Sequence, residues 1–344
     1  MKNNITTDDM LFAMQQRNLV YNYNFLYYSN QANEGGSIVY NHPDGWLYTD
    51  PGKGKIGFDV DNKACIINKS NDSSSIMNFS QNINEFPRWK NLLLGQTITA
   101  EAVVSCPTVG ADFNISFYLE DGISENHKSD VIVAGESKTI TVEIMVSNSA
   151  THLAVGFKCS TNSAIILIHK VYVNIGKIAL EYLPCMVNGF IGERKQYISI
   201  EVPPAEELSL CEPSTGLSDA YTRLNSFLNG RFGFVNTNES LLPDMRGYFS
   251  RSWDNNAGID TGADERTPLG QGEIDGDHVG TVEEDAFKEH DHELDFNTNG
   301  KVSPGQSPPS IPVISLTAKS NTRPRGDLET RSKNISELYT IKWA

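Results

Sequence analysis

His290-Asp291-His292 sets two imidazoles one residue apart within the stretch Ala286 to Leu294. On an extended strand, side chains alternate faces with period two, so both rings project from the same side. Such a pair offers two nitrogens to one metal ion but completes no usual coordination sphere, so further ligands must come from elsewhere. A second group is the cluster His42-Pro43-Asp44-Gly45-Trp46-Leu47-Tyr48, with the pair Phe86 and Trp89 further on. Aromatic faces attract the C–H surfaces of pyranose rings, and Asp44 or Asp50 can bind hydroxyls. Asp44, Trp46, Tyr48 and Trp89 are therefore candidate glycan contacts, although large aromatics also serve as ordinary sandwich core. Glu283-Glu284-Asp285 supplies neighbouring carboxylates, but glycoside hydrolysis needs two at a defined separation, and nothing in the spacing defines one. With no GxSxG motif and no long repetitive strand array of a β-helical depolymerase, the expectation is a non-enzymatic protein.

Composition narrows what can position these groups. A chain of 344 residues has room for about two domains, by a loose prior of ~150 residues each. Its hydrophobic share of 39% is low, while Gly, Asn and Ser are spread throughout, a pattern suited to short strands and turns. The net charge of -15 is concentrated between Ser250 and Gly300, and such a surface repels nucleic acid and anionic lipid. No apolar run reaches the ~18 residues of a membrane span, and Met1 to Met10 lacks a basic start followed by an apolar stretch. Assembly in a cytoplasm without membrane insertion is the expectation. Cys65, Cys106, Cys159, Cys185 and Cys211 show no CxxC spacing and read as buried free thiols.

In chain order, residues 1–17 hold a short helical candidate over Thr7 to Met14, capped by Thr7 or Asp8, whose Met10, Leu11 and Met14 share a face fit for anchoring. Residues 18–183 then read as all-β. Thr97 to Val104, Phe113 to Leu119, Lys138 to Ile144, Ala154 to Phe157 and Ile165 through Val173 are short alternating or β-branched runs between turn residues, as in a two-sheet jelly roll. A connector over 184–207 contains a predicted strand from Lys195 to Val202, ended by Pro203-Pro204. From 208 to 344 the pattern brings a capped amphipathic helix over Ser218 to Leu228, with Tyr221, Leu224 and Leu228 on one stripe. A glycine-rich acidic tract and a Pro/Ser loop from Ser303 to Pro312 follow.

Two resemblances rest on quoted residues. Asn18-Leu19-Val20-Tyr21-Asn22-Tyr23-Asn24-Phe25 resembles the opening of carbohydrate-binding-type jelly rolls of phage tail fibres, and Val171 to Tyr182 resembles their last strand. The second half resembles the phage tail-collar domain of short tail fibres and related adhesins. Leu242 to Arg251 matches its LPDxRGxFxR signature, with Pro243, Asp244, Arg246 and Gly247 in place. Val279-Gly280 through Asp285, Lys288, His290 and His292 matches its metal stretch. Glu329 to Asn334 matches its ETRPKN ending, including Arg331 and Asn334, except that Ser332 replaces proline. Glu212-Pro213 stands where many members have Asp-Gly. The segment between His292 and Arg331 is short where the T-even short tail fibre carries a receptor-binding head, so no receptor site carries over.

The resemblance implies a mostly β chain: a β-sandwich jelly roll followed by an intertwined, glycine-rich, trimeric tail-collar domain. HxH strands of three chains would meet on the threefold axis, and two imidazoles from each make six nitrogen ligands. One transition-metal ion per trimer fits that set, iron better than zinc, since structural zinc prefers four ligands. Asp244, Arg246, Arg251 and Arg331 read as structural braces rather than an anion site. The expected function is a homotrimeric phage or tailocin fibre in the tail or baseplate. It would contact other virion proteins and a bacterial surface glycan through the jelly roll or the 300–312 loop. A purely structural collar, connector or decoration fibre is the alternative.

Overall fold

The computed structural model describes residues 16–29, 42–236, 238–285 and 334–344. The expected N-terminal helix over Thr7 to Met14, the His290 and His292 step, the 300–312 loop and Arg331 lie outside the described residues.

The first module is an antiparallel sandwich. In chain order its strands are β1 (Leu47–Thr49), β2 (Lys55–Asp59), β3 (Ala64–Asn68), β4 (Met77–Asn82), β5 (Thr97–Ser105), β6 (Phe113–Glu120), β7 (Glu125–Ile132), β8 (Ser137–Met145), β9 (Ala154–Cys159) and β10 (Ile165–Ile175). One sheet runs β1-β4-β9-β6-β7 and the other β2-β3-β10-β5-β8. Period-two patterning explains the faces: Met77, Phe79 and Gln81 of β4 point inward, and Asn78, Ser80 and Asn82 outward. In β10 the apolar phase changes between Ile166, Ile168 and Val171, Val173, Ile175. A bulge between Ile168 and Lys170 absorbs the change, so both halves face the core against β5.

Between the sheets, Phe25, Trp46, Phe79, Phe157 and Phe117 form a row of rings, with centroids 5.1, 4.7, 6.4 and 4.8 Å apart in that order. Each ring removes roughly 150–250 Å² from water, which makes this row the main anchor of the sandwich. The thiols Cys65, Cys106 and Cys159 are buried among such side chains and unpaired. Strand β7, Glu-Asn-His-Lys-Ser-Asp-Val-Ile, has almost no apolar alternation to mark it in the sequence. It is held by its ladder to β6, and charged side chains protect this outer edge from further pairing.

The second module has less regular structure. Strands β11 (Arg194–Tyr197), β12 (Glu207–Ser209) and β15 (Leu338–Lys342) make a sheet in the order β11-β15-β12, and β13 (Thr267–Pro268) pairs with β14 (Thr281–Val282). The region expected as a connector, 184–207, thus supplies an edge strand to this sheet. The strand expected from Lys195 to Val202 ends at Tyr197, where its partner β15 runs out; Ile198 and Val202 keep their alternation but have no ladder. The expected helix over Ser218 to Leu228 is split. Ser218 Oγ accepts from Ala220 N to cap a 3-10 turn, Asp219–Tyr221, and the α-helix spans Thr222–Leu228. A small core of Val187, Ile191, Leu210, Leu217, Leu224, Leu228, Leu242 and Ile341 closes around the helix, joined by Tyr21 from the first module.

A polar seam joins the modules. Tyr221 provides no side-chain cap for the helix, and Glu85 of the sandwich supplies one: its carboxylate accepts from Thr222 N at 2.7 Å and Arg223 N at 2.9 Å. Negative charge is favourable there, because the first N–H groups of a helix lack partners and carry the positive end of its dipole. Arg223 Nε also pairs with Glu85 at 3.4 Å, with both side chains almost wholly buried. Ser226 Oγ donates to the Trp46 carbonyl at 2.9 Å, and His42 Nε2 lies 3.4 Å from Asn229 Nδ2.

Candidate functional site

The residues predicted to contact glycan are turned inward. Trp46 is fully buried and stacked on Phe79, leaving no face for a sugar. Asp44 is also buried; it accepts from Ser29 N at 2.9 Å and Ser29 Oγ at 2.5 Å, which organises the chain before β1. Burial raises its pKa, and those donors only partly offset the rise. Tyr48 and Trp89 are half-buried against the same core. Burial likewise pushes the Tyr48 phenol up. Trp46 and Asp44 are thus corrected from surface platform to core, because a large ring between two sheets gains more from burial than from exposure.

The outer face of β1-β4-β9-β6-β7 satisfies itself too. The Tyr118 ring lies across Gly156, and its hydroxyl donates to Asn78 Oδ1 at 2.9 Å. A Cβ at position 156 would come within 2.7 Å of that hydroxyl, so the close approach needs glycine. Lys158 Nζ sits 4.3 Å above the ring and 2.6 Å from Glu125, leaving Tyr118 only 2% exposed. The Tyr118 ring is therefore not open for stacking.

The collar-type motif forms local braces. Arg246 donates to Asp244 through Nε at 2.9 Å and Nη2 at 2.6 Å, and these bonds hold the Asp244 carboxyl below its ordinary range. Pro243 and Asp244 lead into the turn at Gly247, whose φ of +82° lies in the left-handed region that favours glycine. Asp260 joins two cations, Arg251 at 3.0 Å and Arg266 at 3.3 Å. Asp254 accepts from Gly258 N, Ile259 N and Asp260 N, which keeps its carboxyl below the usual range. Trp253 Nε1 donates to the Asp277 carbonyl at 2.9 Å beside a hollow of about 290 Å³. These bonds rigidify a stretch with almost no regular structure, and Asn334 of the motif is exposed. Among the described residues, no group of three or more His, Cys, Asp or Glu side chains could hold a metal.

A larger hollow, about 440 Å³, lies at the seam. The sandwich contributes Phe86, Arg88, Asn91 and Leu92, from the turn and short helix Trp89–Leu93, and the second module contributes Met186, Asn188 and Glu206. The sequence reading singled out Phe86 here but paired it with Trp89, which packs inward. Asn188 and Glu206 are distant in sequence and carry no motif, so no local signal marks them.

No protein-family model matches the chain. Protein RhiB of Rhizobium leguminosarum bv. viciae is 29% identical over 165 residues, covering 46% of this chain and 74% of RhiB. Among solved structures, the CBM22-1 xylan-binding domain of Paenibacillus barcinonensis Xyn10C matches 48% of this chain and 96% of its own, at 9% identity and TM-score 0.31. The enzymatically active domain of Bacteriophage CBA120 tailspike protein 4 matches 46% of this chain and 21% of its own, at 15% identity and TM-score 0.32. The structural neighbours of this β-sandwich are thus carbohydrate-binding jelly-roll modules and a phage tailspike domain.

Proposed function

We propose that the chain is a non-enzymatic fibre of a phage or tailocin tail or baseplate that attaches the particle to a bacterial surface glycan as a homotrimer. The small core of the second module is the observation that carries this reading. Both modules leave apolar side chains in water, Val60, Val109 and Met145 in the sandwich and Ile198, Val202 and Ile259 in the second module, but the second module has far fewer buried apolar residues to set against them. An apolar surface of this kind gains by burial against sister chains, and the ordered collar-like motifs lie in the same module. Trimerisation also triplicates weak sugar contacts, so avidity replaces single-site affinity. His290 and His292 of three chains would supply six imidazole nitrogens for one iron or other transition-metal ion, which would staple the threefold axis.

Sedimentation of the full-length protein tests the assembly: a threefold mass supports the reading, and a monomer at every concentration overturns it. Elemental analysis is expected to find one transition-metal ion per three chains. A purely structural collar is favoured by one observation, the closed outer face around Tyr118. Binding of the intact protein to susceptible cells or to a glycan array separates the two roles: attachment requires it, and a connector does not.

A further inference from the structure

The seam hollow combines an apolar and a polar lining. The apolar part is Phe86, Leu92 and Met186, and the polar part is Arg88, Asn91, Asn188 and Glu206. Among the described residues, the Arg88, Asn91 and Asn188 side chains make no hydrogen bond or ion pair. Glu206 has one side-chain partner, Lys342 at 3.6 Å. Arg88 also holds φ at 61°, a left-handed conformation disfavoured for a residue with a Cβ. Its volume of about 440 Å³ falls within the roughly 300–1,000 Å³ of small-molecule pockets.

We propose that this hollow is the receptor subsite and takes one uncharged sugar residue of a surface glycan. The proposal rests on the glycan-attachment reading above and locates its contact. A sugar presents an apolar C–H face and a rim of hydroxyls, each both donor and acceptor. Phe86 and Met186 suit the face, and a guanidinium, two amides and a carboxylate suit the rim. Charge decides the class. Arg88 and Glu206 both line the hollow with opposite charges, and the chain as a whole carries -15, so an acidic sugar gains no net attraction. The two walls come from different modules, and Phe86 directly follows Glu85, the carboxylate that caps the second module's helix. The subsite therefore exists only while the seam is closed.

The test uses full-length protein and saturation-transfer NMR with free glucose, galactose, mannose, N-acetylglucosamine and glucuronate. At least one neutral sugar is expected to take saturation while glucuronate does not. Asn91→Ala and Asn188→Ala are each expected to weaken that binding about tenfold, or about 1.4 kcal/mol. Leu92→Trp, which fills the hollow, should abolish it, with thermal unfolding of all three unchanged. Asn114→Ala, on the exposed face of β6, should bind as the unaltered protein does. If neutral sugars bind and the seam variants bind them equally well, the subsite lies elsewhere and the inference falls while the attachment reading stands. Preference for glucuronate overturns the charge argument and with it the uncharged class. If no sugar binds the unaltered protein, the attachment reading and the inference fall together.

Discussion

The two modules solve the problem of stability in opposite ways. The sandwich has long ladders, an aromatic row and a core that closes within one chain. The second module has short strands, turns tied down by carboxylates, and a core of few side chains. The first resembles a finished domain, and the second leans on it through Glu85 and Arg223. A long-laddered scaffold and a loosely built module can therefore share one chain, joined by directional groups at Glu85 and Arg223 together with the apolar contact of Tyr21.

The joint offers the largest test. Arg223→Met leaves Glu85 buried without its cation and is expected to cost about 3–5 kcal/mol, read by calorimetry as separation of one transition into two. A single undivided transition would break the comparison. Phe79→Ala empties the middle of the aromatic row and should also cost about 3–5 kcal/mol, but by lowering the melting of the sandwich itself.

Asp50→Asn comes next. Burial alone would raise this carboxyl, but Ser70 N, Ser75 Oγ, Ser70 Oγ and Gly52 N together hold it down to about 2. The folded value lies below the ordinary 3.8, so its contribution is present above 3.8 and is lost as the pH falls toward about 2. The asparagine variant should lose roughly 2 kcal/mol at neutral pH and flatten the acid limb of a stability profile.

Burial keeps the His42 imidazole below its usual 6.5, with the Pro43 carbonyl and Asp44 only partly offsetting it. Because the folded pKa is the lower one, the neutral form's contribution is complete above 6.5 and declines as the pH drops through the folded value. Mild acid should thus loosen the seam, and His42→Gln should remove that dependence in hydrogen exchange near Asn229. Ile259→Ser is expected to change unfolding of the single chain by less than about 0.5 kcal/mol while weakening self-association in sedimentation, the smallest effect on stability and the sharpest on assembly.

Legibility in the sequence followed the same division. The strands β5, β6, β8, β9 and β10 were readable within a residue or two because alternation and β-branching mark a half-buried face. β7 was not, because an edge strand held by its ladder needs no apolar pattern. The glycan contacts were misplaced for a related reason: Trp46 and Asp44 look the same in sequence whether a polar aromatic cluster faces water or a core. The hollow at the seam had no signature at all beyond Phe86.

By itself the sequence determined that this chain is mostly β, that its cysteines are unpaired, and where the longer strands of the sandwich run. These are local matters of periodicity, composition and spacing. Only the tertiary structure decided that Glu85 caps a helix more than a hundred residues away, that the bulge in β10 rescues an apolar pattern out of phase, and that Phe86, Asn188 and Glu206 surround one hollow. Such groups meet through the packing of separate elements, and no local pattern of residues encodes a contact that exists only once both sides have folded.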